Sequence, residues 1–269
     1  MSRIDETFQR LRSRGEKALI PYIMAGDPTW ATTMALVKEI GLSGADIIEL
    51  GVPFSDPVAD GPTIQQAGGR ALADGDVSLR NVLRMVPELR RETSAPLVLM
   101  SYYNPIFIYG EGEFVRDALQ AGVDGLIVPD LPPEEASGLL EHADAKGLDV
   151  IFLVAPTSSP ARINLIAECS KGFVYYVSLT GVTGARDTLA EDIQAILRQI
   201  TQATLKPVAV GFGISTPAHA RIVSEWGDGV VVGSAIIREM EKHLEDSGAL
   251  VRAVGQFVRS LKEGMQTSR

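Results

Sequence analysis

Eight short apolar runs recur along the 269-residue chain: Ala18–Met24, Asp46–Leu50, Pro96–Met100, Gly125–Val128, Asp149–Val154, Phe173–Val177, Pro207–Gly211 and Gly229–Val232. Each is rich in Val, Ile and Leu with little polar alternation, which is how parallel strands read when both faces are covered. Amphipathic segments alternate with them at Thr29–Ser43, Glu113–Ala121, Pro133–Lys146, Pro160–Ser170, Leu189–Thr204 and Thr216–Trp226. Two more, Pro62–Asp74 and Ser78–Thr93, fill the gap between the second and third runs. Eight strand–helix units with no Ser/Gly linker describe one α/β domain over residues 1–269, a (β/α)8 TIM barrel. A doubly wound open sheet is the alternative. Gly and polar residues follow the strand ends, as in Ala25-Gly26-Asp27-Pro28, Gly51-Val52-Pro53 and Gly211-Phe212-Gly213. That distribution favours the barrel, whose enzymes place their sites there. Ahead of the first run, Ile4, Phe8 and Leu11 fall at helical spacing and predict an extra N-terminal helix across the base.

Composition removes several function classes. A net charge of -9, with no Lys/Arg stripe, excludes a nucleic-acid surface. The lone Cys169 offers no disulfide framework and points to a reducing compartment, the cytoplasm. No apolar stretch approaches the roughly 18 residues of a membrane span. Met1 to Lys17 lacks a signal-peptide core, and Asp5 and Glu6 argue against a transit peptide. No spacing resembles a metal site, and His142, His219 and His243 fall in helical segments rather than at strand ends. No lysine closes a predicted strand, which argues against Schiff-base chemistry.

The chemistry concentrates in Ile48-Glu49-Leu50-Gly51-Val52-Pro53-Phe54-Ser55-Asp56-Pro57-Val58-Ala59-Asp60-Gly61. Glu49 lies inside a predicted buried strand, where an ionised carboxylate without a partner is costly, so it needs compensation or a task. Asp60 follows eleven residues on, past a Gly/Pro-rich loop. Two carboxylates returned to one cavity suit acid and base chemistry on one small substrate. The plainer alternatives are a salt-bridged strand-end acid for Glu49 and a helix N-cap for Asp60. Three glycine clusters suggest a phosphate site: Gly181-Val182-Thr183-Gly184 after the sixth run, Gly211-Phe212-Gly213-Ile214-Ser215 after the seventh, and Gly233-Ser234 after the eighth, at the start of a helix. Glycines let the backbone approach a ligand, and a helix start offers free N–H groups. Arg186 reads as a solvated loop charge rather than a phosphate clamp. Tyr22, Tyr102, Tyr175 and Phe212, with Met100, Ile127 and Leu153, outline a pocket for a flat apolar group.

These residues closely resemble the tryptophan synthase alpha subunit family. Ile48 to Gly61, continued by Pro62-Thr63-Ile64-Gln65, is similar to that family's signature without interruption, and the three glycine clusters and Pro21–Pro28 also match. The resemblance spans about Lys17 to Met240. It implies a barrel lyase that splits indole-3-glycerol phosphate into indole and glyceraldehyde 3-phosphate with no cofactor of its own. Indole then passes to a pyridoxal-phosphate-dependent beta subunit, in an expected alpha2beta2 hetero-tetramer. It implies Glu49 and Asp60 as catalytic residues, with Thr183 contacting the aspartate when the loop closes. Phosphate-binding backbone falls on Gly184, Gly213, Gly233 and Ser234, and the indole pocket on Tyr22, Met100, Tyr102, Tyr175 and Phe212. Tyr22 replaces a common phenylalanine and Met100 a usual leucine; both keep an apolar wall, and the Tyr22 hydroxyl needs a partner. Loops bearing Pro53, Phe54, Asp56, Asn104 and Pro132 resemble the family's beta-contacting surface. Phe54, in a proline-bounded loop, has no evident helix or strand to pack it. Two rivals are a free-standing lyase that releases indole to solution, and a silent subunit that only activates a beta partner.

Overall fold

The computed structural model describes residues 1–73, 75, 77–177, 187–211 and 213–266. Its elements in chain order are α1 (Arg3–Ser13), β1 (Ala18–Met24), α2 (Trp30–Leu42), β2 (Ile48–Gly51), α3 (Pro62–Ala73), α4 (Leu79–Glu92), β3 (Leu97–Met100), α5 (Tyr103–Tyr109), α6 (Glu111–Ala121), β4 (Gly125–Ile127), α7 (Ser137–Lys146), β5 (Asp149–Ile151), β6 (Leu153–Val154), α8 (Pro160–Cys169), β7 (Val174–Val177), α9 (Asp187–Ala203), β8 (Val208–Gly211), α10 (Pro217–Ser224), β9 (Gly229–Val232), α11 (Ser234–Glu241) and α12 (Ser247–Gln266). The strands form one sheet in the order β5-β4-β3-β2-β1-β9-β8-β7-β6, and every pairing is parallel.

β5 and β6 are the two halves of the run expected as one strand at Asp149–Val154. Their ladder breaks at Phe152, whose N–H donates to the Ser170 hydroxyl at 3.2 Å instead of to a neighbouring strand. β5 pairs with β4 and β6 with β7, so the two outer strands of the sheet are one strand and the sheet closes on itself. The Phe152 carbonyl helps to close it by accepting from Tyr175 N–H at 3.2 Å. The expected barrel is therefore present.

Alternate residues of a strand face opposite sides, and here the two sides meet different neighbours. One set, Ala18, Ile20, Ile47, Val98, Ile127, Ile151, Phe173, Ala209 and Val231, packs together inside the barrel. The other, including Leu19, Ile23, Ile48, Leu50, Leu97, Leu99 and Val230, packs under the surrounding helices. Both faces are apolar, which is why the runs lack alternation. The base is closed by α1, whose Ile4, Phe8 and Leu11 join the interior set, with the Phe8 ring 5.8 Å from that of Phe173. An 11-residue helix is marginal alone. Each of these side chains contributes about 1.5–3 kcal/mol on full burial, and a Ser2/Asp5 capping box satisfies the helix start.

Three elements depart from expectation. α5 occupies a segment with no predicted helix, α12 extends the chain's end as a long helix, and the Pro133–Lys146 segment opens with a separate 3-10 turn at Pro133–Glu135. No described helix is long and apolar enough to cross a membrane.

Candidate active site

Glu49 occupies an inward position of β2, the next after Ile47, and lies in register between Tyr22 of β1 and Val98 of β3. It is 2% exposed. Burial, reinforced by the nearby Asp60 charge, pushes its pKa from 4.5 up to about 8. The compensation that the sequence demanded is thus neutralisation: at neutral pH this carboxyl holds its proton.

Asp60 comes from the β2–α3 loop to lie near enough to Glu49 for its charge to act there. The loop is tied by Asp60 N–H to the Pro57 carbonyl at 3.0 Å and by Ala59 N–H to the Tyr102 hydroxyl at 2.9 Å. Burial raises the Asp60 pKa, while a hydrogen bond from that same hydroxyl to its carboxylate pulls it back down. What α3 takes from Asp60 is its main-chain carbonyl, to which Gln65 Nε2 donates at 2.9 Å; the carboxylate is left to Tyr102. Burial thus raises both neighbouring carboxyls, but Asp60 alone has a hydrogen bond that offsets the effect.

Of the expected aromatic wall, Tyr22 lies near enough to Glu49, Asp60, Tyr102 and Tyr175 to feel their charges. Tyr22 is 5% exposed, and its hydroxyl donates to the Met24 thioether at 3.8 Å. Met100 and Tyr175 pack on the interior set. Burial raises the phenol pKa of Tyr22, Tyr102 and Tyr175 alike, so all three stay neutral hydroxyls. Two glycines make room for the rings: any Cβ on Gly51 would collide with the Tyr22 hydroxyl, and one on Gly211 would lie 2.7 Å from the Tyr175 hydroxyl.

Of the expected phosphate cradle, Gly213 adopts a φ of +54, a backbone conformation that favours glycine. Gly233 caps the start of α11, its carbonyl accepting from Ile236 and Ile237 N–H at 2.8 and 3.1 Å. A Cβ on Gly233 would lie 3.4 Å from Tyr22 Cβ, so the positive end of α11, with Ser234 as its first residue, abuts Tyr22. Thr183, Gly184, Arg186 and Phe212 lie outside the described residues.

Around the mouth, Asp56 and Asn104 are exposed, Pro132 is half-buried and Pro53 is buried. Phe54 is not the unpacked aromatic that its loop suggested: it is half-buried and stacks on Tyr102, with ring centroids 5.3 Å apart and planes at 30°. Sequence reasoning missed three exposed apolar side chains in the segments that follow β2 and β3. Val58, Phe107 and Ile108 are 75%, 65% and 76% exposed, the last two on α5. The run Ile106-Phe107-Ile108-Tyr109 was a signal for those two, obscured by Asn104-Pro105 at the helix start.

Comparison with known proteins agrees with this geometry over nearly the whole length. The family model described as tryptophan synthase alpha chain matches residues 8–266. The tryptophan synthase alpha chain of a Geobacter species is 52% identical over 265 residues, covering 98% of both chains. In three dimensions, tryptophan synthase subunit alpha from Legionella pneumophila superposes with a TM-score of 0.92 at 41% identity, covering 100% of both chains. A chain of Mycobacterium tuberculosis tryptophan synthase in an aminoacrylate-bound form does so at 0.88 and 35%, covering 99% of this chain and 100% of that one. With a closed parallel barrel, a buried acid on its second strand and a second acid returned by the following loop, the chain belongs to the tryptophan synthase alpha chain family.

Proposed function

We propose that Glu49 and Asp60 perform the lyase half-reaction of this family on indole-3-glycerol phosphate, releasing indole and glyceraldehyde 3-phosphate. The observation that carries this reading is the meeting of two acids: Glu49, buried in β2 with its pKa pushed up to about 8, feels the charge of Asp60, whose own rise through burial is offset by the Tyr102 hydroxyl. Glu49 gives its proton to indole C3 while Asp60 draws the proton from the ring N–H, leaving a C=N bond that serves as electron sink. The Glu49 carboxylate then takes the proton of the adjacent glycerol hydroxyl. The C3–C1' bond breaks, its electron pair flows back to the ring nitrogen, and Asp60 returns the nitrogen's proton. Each acid ends as it began, and no cofactor in this chain is required. The rings of Tyr22, Tyr102 and Tyr175 hold the indole, and the N-terminal end of α11 takes the phosphate through backbone donors. The direct test is indole formation from indole-3-glycerol phosphate, with and without a matching beta subunit.

This assignment fixes the pH dependence. The free enzyme needs Glu49 protonated and Asp60 ionised, so kcat/KM should rise as Asp60 ionises, above the usual 3.8, and fall as Glu49 deprotonates near 8. A profile still rising through pH 9 would remove Glu49 as the first acid.

The family's beta subunit is the partner, and we place its contact on the exposed apolar side chains Val58, Phe107 and Ile108 together with Phe54, Asp56, Asn104 and Pro132. Exposed large apolar side chains rimmed by polar ones mark interaction surfaces. An alpha2beta2 assembly in the cytoplasm, with pyridoxal phosphate in the beta subunit alone, completes the reading. Phe107→Ala is expected to weaken association while sparing the isolated chain's turnover. Phe54→Ala should weaken both, because its ring supports Tyr102 and thereby Asp60. Titrating a beta subunit into each variant while following indole release separates the two effects; identical curves for both would place the interface elsewhere.

A further inference from the structure

α3 starts two residues past Asp60, and α11 starts at Ser234, against Tyr22. Their far ends meet at one side chain. Arg70, in the last turn of α3, donates from Nε and Nη2 to the two Asp27 carboxylate oxygens at 2.7 and 2.9 Å, and from Nη1 to Glu241 at 3.1 Å. Asp27 is 0% exposed and lies in the loop after β1, the strand that carries Tyr22. Glu241 closes α11.

The apolar face of α3 shows why a clamp is needed there. Its buried residues are Ile64, Ala67, Gly68 and Ala71, only one of them large. Small side chains interlock poorly, so packing alone specifies the slide and rotation of this helix weakly. A two-pronged guanidinium–carboxylate bond fixes distance and plane together. Arg70 lies about 12 Å along α3 from its start, at 1.5 Å per residue, so it acts through the helix and not by touching substrate.

We propose that Arg70 is a positioning residue for the lyase reaction: by clamping the end of α3 to Asp27 and the end of α11 to Glu241, it sets the spacing between Asp60 and the phosphate-binding helix start. The proposal rests on the roles given above to Asp60 and to the start of α11. The Asp27 arm is the strong one, being two-pronged and buried; the Glu241 arm is partly exposed and steers more than it holds.

Arg70→Met alone strands the Asp27 carboxylate in the interior and is expected to fold poorly. Arg70→Met/Asp27→Asn removes that unpaired charge, and Arg70→Lys keeps a charge but loses the fork. In both of these, kcat for indole-3-glycerol phosphate should fall about 10–100-fold, the scale of an ångström's misplacement, with KM raised. Backbone amide exchange at residues 60–65 and 234–237 should quicken, while exchange along β2 stays slow. Folded variants with wild-type kcat, KM and exchange would overturn the clamp. A wild-type chain that makes no indole would instead overturn the lyase reading, and the exchange measurement would still decide whether Arg70 holds the two helix starts.

Discussion

Replacing Glu49 by Gln is expected to leave a folded, ligand-binding protein with almost no lyase activity. General acid–base groups contribute roughly 10²–10⁴-fold, and a group used first as acid and then as base belongs at the upper end. Gln fits the inward position in β2 between Tyr22 and Val98, so shape is conserved and only the proton is lost. Retention of a tenth of wild-type turnover would sink the assignment. The same variant carries a second, independent signature in stability. Folded Glu49 titrates at about 8 against 4.5 for the ordinary group, so between those values the folded chain holds a proton that the unfolded chain has released. Unfolding then releases a proton, and wild-type stability declines as pH rises through that window. Gln carries no such penalty. The melting temperature of Glu49→Gln relative to wild type should therefore climb from pH 5 to pH 8 and level off above. A constant difference would mean that Glu49 is ionised in the folded state and cannot begin as an acid.

The order of elements was legible because parallel strands covered on both sides leave long apolar runs; β1 and β9 match their predicted bounds residue for residue. Which face of each run points inward was not legible, since Ile47 and Ile48 are equally apolar yet lie in different cores. Glu49 is the exception, a charged residue that could sit on either face until the register of β2 with β1 was known. The break at Phe152 depends on the Ser170 hydroxyl, distant in sequence and invisible to a local reading. The same holds for the Arg70–Asp27 clamp, which joins residues 43 apart, and for the Tyr102 hydroxyl on the Asp60 loop, also 43 apart. α12 was a different kind of omission, because Leu250, Val254, Val258 and Leu261 announce its buried face at helical spacing. The two acids, the tyrosines and the helix start at Gly233 were all visible in the chain. Their unequal surroundings were not, because they follow from burial and one hydrogen bond that only the fold creates.

That hydrogen bond gives Asp60→Asn its expected outcome. The Asp60 carboxylate meets positive charge as the indole nitrogen loses electron density, a stabilisation needed more in the transition state than in the bound substrate. Asn keeps the size and accepts from Tyr102 but offers no charge and cannot take the nitrogen's proton. Turnover should fall roughly 10²–10³-fold, the cost of losing one such electrostatic partner, while KM stays within a few-fold. Unchanged turnover would reduce Asp60 to a loop residue whose carbonyl engages Gln65. Tyr102→Phe tests the same charge from the other side. Losing the hydroxyl removes the interaction that lowers the Asp60 pKa and also frees Ala59 N–H, so Asp60 stays protonated to higher pH. The acid limb of kcat/KM should then move upward while the limb near 8, set by Glu49, moves down or not at all, since a more neutral Asp60 repels Glu49 less. The two limbs closing toward each other is the specific result; a profile merely scaled down would show that Tyr102 supports the indole ring and leaves Asp60 untouched.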